Sequence, residues 1–408
     1  MTDSPTIRPR AARPRVAVVF GGTSSEHAIS CLTAGSVLNA IDRDRYEVVA
    51  IGITPSGRWV VVPDELAERM RVVDGRLPEL SEDLLDAIWL RTSAGSDLAI
   101  TADAFDIAGL EGTDSDANGT LLTADDAPSA GGSALARLGA IDVAFALLHG
   151  PFGEDGTIQG MFEMMGTRYV GAGVLASAVG MDKTYMKVVL AAAGLPVGPF
   201  VTILPREWSR DRSACLEAVA ALHRPLYVKP ARGGSSLGIT RVADGDDLVA
   251  AIEHAQQFDP KVIVEEGFVG ARELECGVLG GLDGADPEAS QVAEIRVHTA
   301  SGFYDFDAKY LPEEQVDLDV PADVDADIAA EVRRLAVRTF EAVGCEGLAR
   351  VDVFVTHDRR VYVNEINTMP GFTALSMFPR MWAASGLTYA ELVDRLLQLA
   401  LERPVGLR

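Results

Sequence analysis

A short apolar run at residues 15–20 ends in Gly21 and Gly22, and this pattern limits the fold more than any other feature of the chain. An apolar run followed by a glycine turn is typical of a buried strand in a parallel sheet. A helix is predicted from about Glu26, and a strand over residues 46–53 completes a β-α-β unit. Strands that alternate with helices predict the α/β class, with ligands near the carboxyl ends of the strands.

The chain of 408 residues is long enough for two or three domains, and its patterns divide it into a tail and three parts. Residues 1–14 are expected to form a disordered tail. An N-terminal α/β domain is predicted over residues 15–171, with a surface insertion at about 92–133 that has no chemistry of its own. A central domain is predicted over residues 172–266 and a C-terminal domain over residues 267–408.

The formal net charge of -24 excludes some classes of partner. A strongly acidic protein repels phosphate backbones, so we expect no nucleic acid partner. No apolar run approaches the ~20 residues needed to span a bilayer, and the first fifteen residues lack the apolar segment of a secretory signal. The 4 cysteines are widely spaced and form no Cys-x-x-Cys pair. We therefore expect small core cysteines and a cytoplasmic protein without a membrane partner.

Residues 228–238 have the sequence VKPARGGSSLG, in which a strand delivers a lysine into a loop rich in glycine and serine. Glycines let backbone N–H groups approach an anion closely, and Lys229 adds a point charge. A hairpin with a solvated loop is the structural alternative. The lysine on the strand favours a phosphate-binding loop.

A hairpin is predicted over residues 348–371, and its strands carry polar residues where an apolar face would be expected. Arg350 and Asp352 are two residues apart and share one face, as do Glu365 and Asn367. If the strands pair, the carboxylates and the amide converge as oxygen ligands, which Mg²⁺ prefers. A polar strand face with arginine–aspartate contacts is the structural alternative.

Five segments, in this order, resemble signatures of the D-alanine–D-alanine ligase family in the ATP-grasp superfamily. They are residues 20–26 (FGGTSSE), 148–156 (LHGPFGEDG), 180–183 (GMDK), 228–238 and 364–373 (NEINTMPGFT). The resemblance covers nearly the whole chain after the tail. It implies a three-domain ATP-grasp architecture, α+β in its ATP-binding part, with the parallel-sheet domain first. The insertion has no counterpart in this resemblance.

The resemblance implies an ATP site. Lys183 and Lys229 would contact the phosphates. Glu266 would contact the adenine, with Glu265 as the alternative one residue away, and Glu273 would hold the ribose. The set implied for ATP is Lys183, Lys229, Ser235, Ser236, Glu265, Glu266, Phe268, Val269, Glu273 and Lys309.

The resemblance also implies a metal site and an oxyanion site. Asp352, Glu365 and Asn367 would hold two Mg²⁺ ions, which Mn²⁺ could replace. Such ions neutralise charge while a phosphoryl group is transferred. Arg350 and the backbone N–H of Gly371 would stabilise the oxyanion that forms when an amine attacks an acyl phosphate.

Two amino-acid sites are implied in the same way. Glu26 would bind the ammonium of the first D-alanine, and His149 would lie near its carboxylate. Ser376 and Met377 would bind the carboxylate of the second, where methionine replaces the leucine usual in the family. This exchange is conservative in volume.

Residues 303–310 resemble the start of the family's loop that closes over ATP. Lys309 would reach the phosphates, and Tyr310 would join Ser235 and Glu26 in a hydrogen-bonded triad. Relatives that make D-alanyl-D-lactate often have histidine in place of this tyrosine. Tyr310 therefore favours the dipeptide product.

The function implied is ATP-dependent ligation of two D-alanine molecules through D-alanyl phosphate, giving D-alanyl-D-alanine for peptidoglycan precursors. A D-alanine–D-lactate ligase, another ATP-grasp carboxylate–amine ligase and a catalytically silent ATP-binding scaffold are the alternatives. ATP and D-alanine are the expected small-molecule partners. A homodimer through the first domain is also expected from the resemblance.

Overall fold

The computed structural model describes residues 13–73, 75–92, 95–102, 134–234, 237–297 and 316–405. Within these ranges the strands form sheets of five, four, five and three strands, with helices between them. This mixture confirms the α/β class. Every helix in the described ranges is too short or too polar to cross a bilayer.

The described residues between 15 and 169 form the first five-stranded sheet and a smaller three-stranded sheet. The elements, in chain order, are β1 (Arg15–Gly21), α1 (His27–Ala40), β2 (Glu47–Ile53), β3 (Trp59–Val62), α2 (Asp64–Ala67), β4 (Ala87–Thr92), β5 (Gly95–Ala102), β6 (Ala134–Ile141), β7 (Val143–Ala146), α3 (Thr157–Met165) and β8 (Arg168–Tyr169). The predicted first strand is confirmed: β1 pairs in parallel with β2 and β7 and is buried at the centre of the sheet.

The antiparallel sheet of β4, β5 and β6 was not expected. Strand β5 lies inside the segment predicted as a surface insertion, yet its Leu98 and Ala99 are fully buried. The predicted surface position is therefore wrong for residues 96–99. Glycine, serine and aspartate interrupt the apolar alternation there, so no strand period was visible. Residues 103–133 lie outside the described ranges.

The next sheet has four antiparallel strands in the order β11-β10-β12-β9, with the following elements: α4 (Val174–Met181), α5 (Lys183–Ala192), β9 (Phe200–Ile203), α6 (Pro205–Arg210), α7 (Arg212–Val219), β10 (Leu226–Pro230), β11 (Thr240–Val242), α8 (Leu248–Ala255) and β12 (Val262–Glu266). Helix α5 begins at Lys183 because Asp182 caps it, accepting the backbone N–H groups of Thr184 and Tyr185.

The last sheet has the antiparallel order β15-β14-β13-β16-β17. Its elements and the helices that follow are β13 (Arg272–Leu279), a 3₁₀ turn (Leu282–Gly284), β14 (Glu288–Val297), β15 (Val316–Asp319), α9 (Ala326–Ala342), β16 (Leu348–Val355), β17 (Val361–Asn367), α10 (Met377–Ala384) and α11 (Tyr389–Glu402). The predicted hairpin is confirmed, since β16 and β17 pair antiparallel.

The C-terminal helix joins the last sheet to the first. Leu396 of α11 lies in one apolar cluster with Phe145 of β7. Asp394 accepts a hydrogen bond of 2.7 Å from the Tyr46 hydroxyl, and the buried Arg403 donates one of 2.7 Å to the Gly171 carbonyl. These contacts hold the C-terminal helix and Arg403 against the first sheet. The domain limits set out above stay a prediction.

Candidate functional site

One cleft collects charged side chains from β10, β12, β13, β16 and β17, together with α5 and the loop after β7. The charged residues that line it are Glu154, Lys183, Lys229, Glu265, Glu266, Glu273, Glu275, Arg350, Asp352 and Glu365. The cleft therefore lies between the second and third main sheets, where the sequence predicted a phosphate loop to meet a metal-binding hairpin.

Arg350, Asp352 and Glu275 form what we term the arginine cluster. The Arg350 guanidinium donates two hydrogen bonds of 2.7 Å to the Asp352 carboxylate, and its Nε lies 3.2 Å from Glu275 Oε1. Burial by itself would lower the pKa of Arg350, but the carboxylates of Asp352 and Glu275 raise it well above its ordinary value. Arg350 is thus a fixed cation between two acids.

The paired strands place Asp352 directly opposite Glu365, and Arg350 opposite Asn367. Two carboxylates that face each other across a strand pair repel, so a cation is needed between or beside them. The Asn367 amide donates to Asp352 Oδ2 at 3.0 Å, and Lys183 Nζ lies 3.7 Å from Glu365 Oε2. Two carboxylates and an amide in this arrangement fit a hard divalent cation.

Lys187, Lys229 and Glu265 form what we term the lysine cluster. Glu265 Oε2 lies 2.5 Å from Lys229 Nζ, and Oε1 lies 3.0 Å from Lys187 Nζ. All three side chains are buried. Burial would raise the pKa of Glu265, but the two lysines lower it to about 2. Glu265 is therefore an ionised carboxylate shared by two cations.

The remaining residues predicted for ATP are distributed along the same wall. Burial and the nearby Asp352 and Glu365 raise the pKa of the Glu273 carboxyl above its ordinary value, against the opposing charge of Lys229. Phe268 stacks on Tyr362 with ring centroids 4.6 Å apart.

Glu266 and Val269 are more exposed to solvent than Glu265. Glu266 accepts a hydrogen bond of 2.7 Å from the exposed His223 ring. The side chain of Val269 is 73% exposed. Glu265 is more buried than Glu266, although both line the cleft. The choice between them for adenine, which the sequence left open, stays a prediction.

The loop after β10 is held at its base. Lys183 Nζ donates to the Gly233 carbonyl at 2.8 Å, and the Arg232 guanidinium forms a bidentate ion pair with Asp259 at 2.7 and 2.9 Å. Ser235 and Ser236 lie outside the described residues. The described part of the loop is therefore tied to α5 on one side and to the start of β12 on the other.

On the side of the first sheet, Glu26 and His149 come together. A Cβ atom at Gly150 would lie only 2.9 Å from Glu26 Oε2, so the carboxylate packs against that backbone. His149 is buried, and its Nδ1 lies 3.7 Å from Glu154 Oε1. Burial would lower the pKa of His149, but Glu154, Glu26 and the Met369 backbone raise it. The imidazole is thereby biased toward its cationic form.

The closing signature places Ser376 as the N-cap of α10 and Met377 as its first residue. Ser376 Oγ accepts the Thr373 backbone N–H at 3.1 Å, and a Cβ at Gly371 would lie 3.3 Å from the same oxygen. The Met377 side chain is buried in the apolar cluster with Phe378. The helix end, rather than the methionine side chain, faces the Gly371 turn.

Two residues of this site were missed in the sequence. Lys187 lies four residues after Lys183, and Glu275 lies two after Glu273, so each pair shares one face of its element. The spacing was visible, but which face meets the cleft depends on packing between sheets. Lys309 and Tyr310, which the sequence singled out, lie outside the described residues.

Comparisons with known proteins identify the family. The family model for the D-ala D-ala ligase N-terminus matches residues 15–172, and that for the D-ala D-ala ligase C-terminus matches residues 189–398. A D-alanine–D-alanine ligase of Kineococcus radiotolerans is 54% identical over 97% of this chain and 99% of its own length. One of Mycolicibacterium smegmatis is 52% identical over 97% of this chain and 98% of its own length.

Solved structures with the same ATP-grasp architecture are also similar. The VanG D-Ala:D-Ser ligase of Enterococcus faecalis has a TM-score of 0.72 at 32% identity, covering 95% of this chain and 100% of that one. The D-alanine–D-alanine ligase of Coxiella burnetii has a TM-score of 0.73 at 29% identity, covering 96% and 95%. With both family models matched along nearly the whole chain, this chain belongs to the D-alanine–D-alanine ligase family.

Proposed function

We propose that this chain is an ADP-forming ligase that uses ATP to join two D-alanine molecules into D-alanyl-D-alanine for peptidoglycan precursors. The observation that carries the proposal is the cleft, in which opposed carboxylates, a fixed arginine and buried lysines meet in a chain of this family. A scaffold that only bound ATP would need no complete metal site with an arginine held beside it.

We assign ATP to the cleft between the second and third main sheets. Lys183 and Lys229 are suited to the phosphates because the Lys183 ammonium contacts the glycine loop and Lys229 lies on the strand that leads into it. Glu265 or Glu266 is assigned to the adenine, with Phe268 and Val269 beside it, and Glu273 to the ribose. Ser235, Ser236 and Lys309 complete this set as predictions from the sequence.

Asp352, Glu365 and Asn367 are the residues that would hold the divalent metal, which we propose to be two Mg²⁺ ions that Mn²⁺ can replace. Their oxygen donors and their position opposite one another suit such ions. When bound, the metal neutralises charge on the phosphates of ATP and favours phosphoryl transfer.

The reaction then needs two steps at the first amino acid. A carboxylate oxygen of D-alanine attacks the γ-phosphorus, and the bond from that phosphorus to ADP breaks. The neutral amine of the second D-alanine attacks the acyl carbon. The carbon–oxygen bond to phosphate then breaks, and inorganic phosphate leaves with the proton that the nitrogen gives up. Arg350 and the backbone N–H of Gly371 stabilise the oxyanion that exists after the amine has attacked and before phosphate leaves. Such stabilisation is typically worth ~3–4 kcal/mol per donor.

We assign the two amino acids to two different groups of residues. Glu26 takes the first ammonium, and the cationic bias of His149 suits the carboxylate next to it. Ser376 and the N-terminus of α10 at Met377 take the second carboxylate, because free N–H groups and the helix dipole favour an anion there. The triad of Glu26 with Ser235 and Tyr310 stays a prediction.

A D-alanine–D-lactate ligase is not favoured, because the curated relatives named above are D-alanine–D-alanine ligases along their full length. We also propose a homodimer through the first domain and a cytoplasmic location, where ATP is available.

Phosphate release from Mg-ATP tests the function when it is measured with D-alanine, with L-alanine, and with D-alanine plus D-lactate, and products are identified by mass. We expect release only where D-alanine is present and the dipeptide as sole product. A D-alanyl-D-lactate product would mean that the second substrate is D-lactate rather than D-alanine. Absence of any D-alanine-dependent release would overturn the proposed function.

A further inference from the structure

We propose that Glu275 is a positioning residue for Arg350. It holds the guanidinium in the cleft when Asp352 serves as a ligand to a divalent metal. The inference rests on the proposed function, because it uses the oxyanion role of Arg350 and the metal role of Asp352. It concerns a residue that the sequence did not single out and that touches neither substrate in the proposed reaction.

The geometry gives Arg350 two different acidic neighbours. Asp352 is on the same strand and takes both of its short hydrogen bonds, at 2.7 Å each. Glu275 comes from β13 on the other side of β16, with Oε1 at 3.2 Å from Arg350 Nε. The Glu275 side chain is 8% exposed, about half the 15% of Asp352. Glu275 is thus the deeper of two acids that the arginine contacts.

The two roles of Asp352 conflict. Both of its oxygens receive hydrogen bonds from Arg350, and Oδ2 also accepts the Asn367 amide. Three of the roughly four acceptor positions of this carboxylate are thereby occupied, so a metal that binds it competes with the Arg350 hydrogen bonds. A buried guanidinium left without a counter-charge is strongly unfavourable. Glu275 removes the conflict because it is within reach of Arg350 without belonging to the proposed metal ligands.

The register explains why Glu275 can fill this role. Strand β13 places Gly277 directly opposite Arg350 and Glu275 directly opposite Asp352. Because residue 277 is a glycine, β13 presents no side chain directly opposite Arg350. A Cβ at Gly277 would lie 2.9 Å from Trp382 Nε1, so the position also lacks room for a larger residue.

A double-mutant cycle between Glu275→Gln and Arg350→Ala tests the proposal. The first readout is the affinity for Mn²⁺ in the presence of ADP, measured by electron paramagnetic resonance without turnover. We expect Glu275→Gln to weaken Mn²⁺ binding about tenfold, because Arg350 would then depend on Asp352 alone and compete with the metal. In the Arg350→Ala background, the same change should have no further effect.

The second readout is turnover with D-alanine, where we expect kcat of Glu275→Gln to fall about tenfold. Glu275→Asp, which keeps the charge, should retain more Mn²⁺ affinity than Glu275→Gln. Glu294→Gln is the matched control, since Glu294 is a buried acid of the same sheet that pairs with Arg272 at 2.7 Å. It should match the unaltered protein in both readouts.

Two results would overturn the proposal. Equal losses of Mn²⁺ affinity from Glu275→Gln in both backgrounds would mean that the carboxylate acts on the metal directly. If Glu275→Gln alone, with Arg350 present, leaves the Mn²⁺ affinity unchanged, Glu275 is not needed to hold Arg350 away from the metal. Neither result depends on the product formed, so failure of the inference is distinct from failure of the proposed function.

Discussion

The arginine cluster and the lysine cluster lie in the same cleft and are built as opposites. In the arginine cluster one cation lies between two carboxylates, whereas in the lysine cluster one carboxylate lies between two cations. Each is buried enough that its charges need partners. The first is left with an excess negative charge, and the second with an excess positive charge.

The opposite net charges of the two clusters indicate which ligand each end of the cleft can bind. An excess negative charge suits a divalent cation, and an excess positive charge suits the phosphates of a nucleotide. Both clusters are complete within the protein, so the side chains are oriented before a ligand arrives. Changing the central ion of either cluster should therefore affect a different step of the reaction.

The largest effect is expected when the central ion of the arginine cluster is removed. Arg350→Ala should lower kcat by about 100-fold or more, because one oxyanion donor is lost, while the KM for ATP changes little. Steady-state kinetics with D-alanine measures both constants. Arg272→Ala is the control, since Arg272 pairs with Glu294 outside the cluster. Near-normal turnover of Arg350→Ala would remove the oxyanion role.

A smaller effect is expected when one outer ion of the lysine cluster is removed. Lys187→Met should raise the KM for ATP about tenfold and largely spare kcat, because Glu265 would then draw Lys229 away from the phosphates. Lys187→Arg keeps the charge and should recover most of the affinity. A change in kcat alone would show that the two clusters do not divide binding from chemistry in this way.

Most of the fold at the cleft could be predicted from the sequence, because strand and helix periods are local. The hairpin of β16 and β17 brought Asp352 and Glu365 together as expected, since alternate residues of paired strands share a face. The N-terminal strand β1 was predicted for the same reason. These features depend on spacing within one or two elements.

The rest depends on contacts between distant elements, which spacing does not encode. Lys187 of α5 meets Glu265 of β12 only because the helix packs on that sheet. Glu275 meets Arg350 only because β13 is the neighbour of β16. Strand β5 was missed because Gly95, Ser96 and Asp97 open it without an apolar period.

The smallest expected effect is on stability and tests whether Glu265 is truly shared. Its folded pKa of about 2 lies below the ordinary value of 4.5, so its contribution to stability is complete above about pH 4.5 and is lost as pH falls toward 2. Lys187→Met should move the folded pKa back up and shrink that contribution.

The measurement is the free energy of unfolding by urea, for both proteins, between pH 6 and pH 3. Other carboxylates titrate in the same range, but they are common to both proteins and cancel in the difference. We expect the advantage of the natural chain to be largest at pH 6 and to shrink by roughly 1 kcal/mol toward pH 3, since one pKa unit corresponds to about 1.4 kcal/mol. A difference that does not vary with pH would mean that Lys229 alone keeps Glu265 ionised and that Lys187 does not lower the pKa of Glu265.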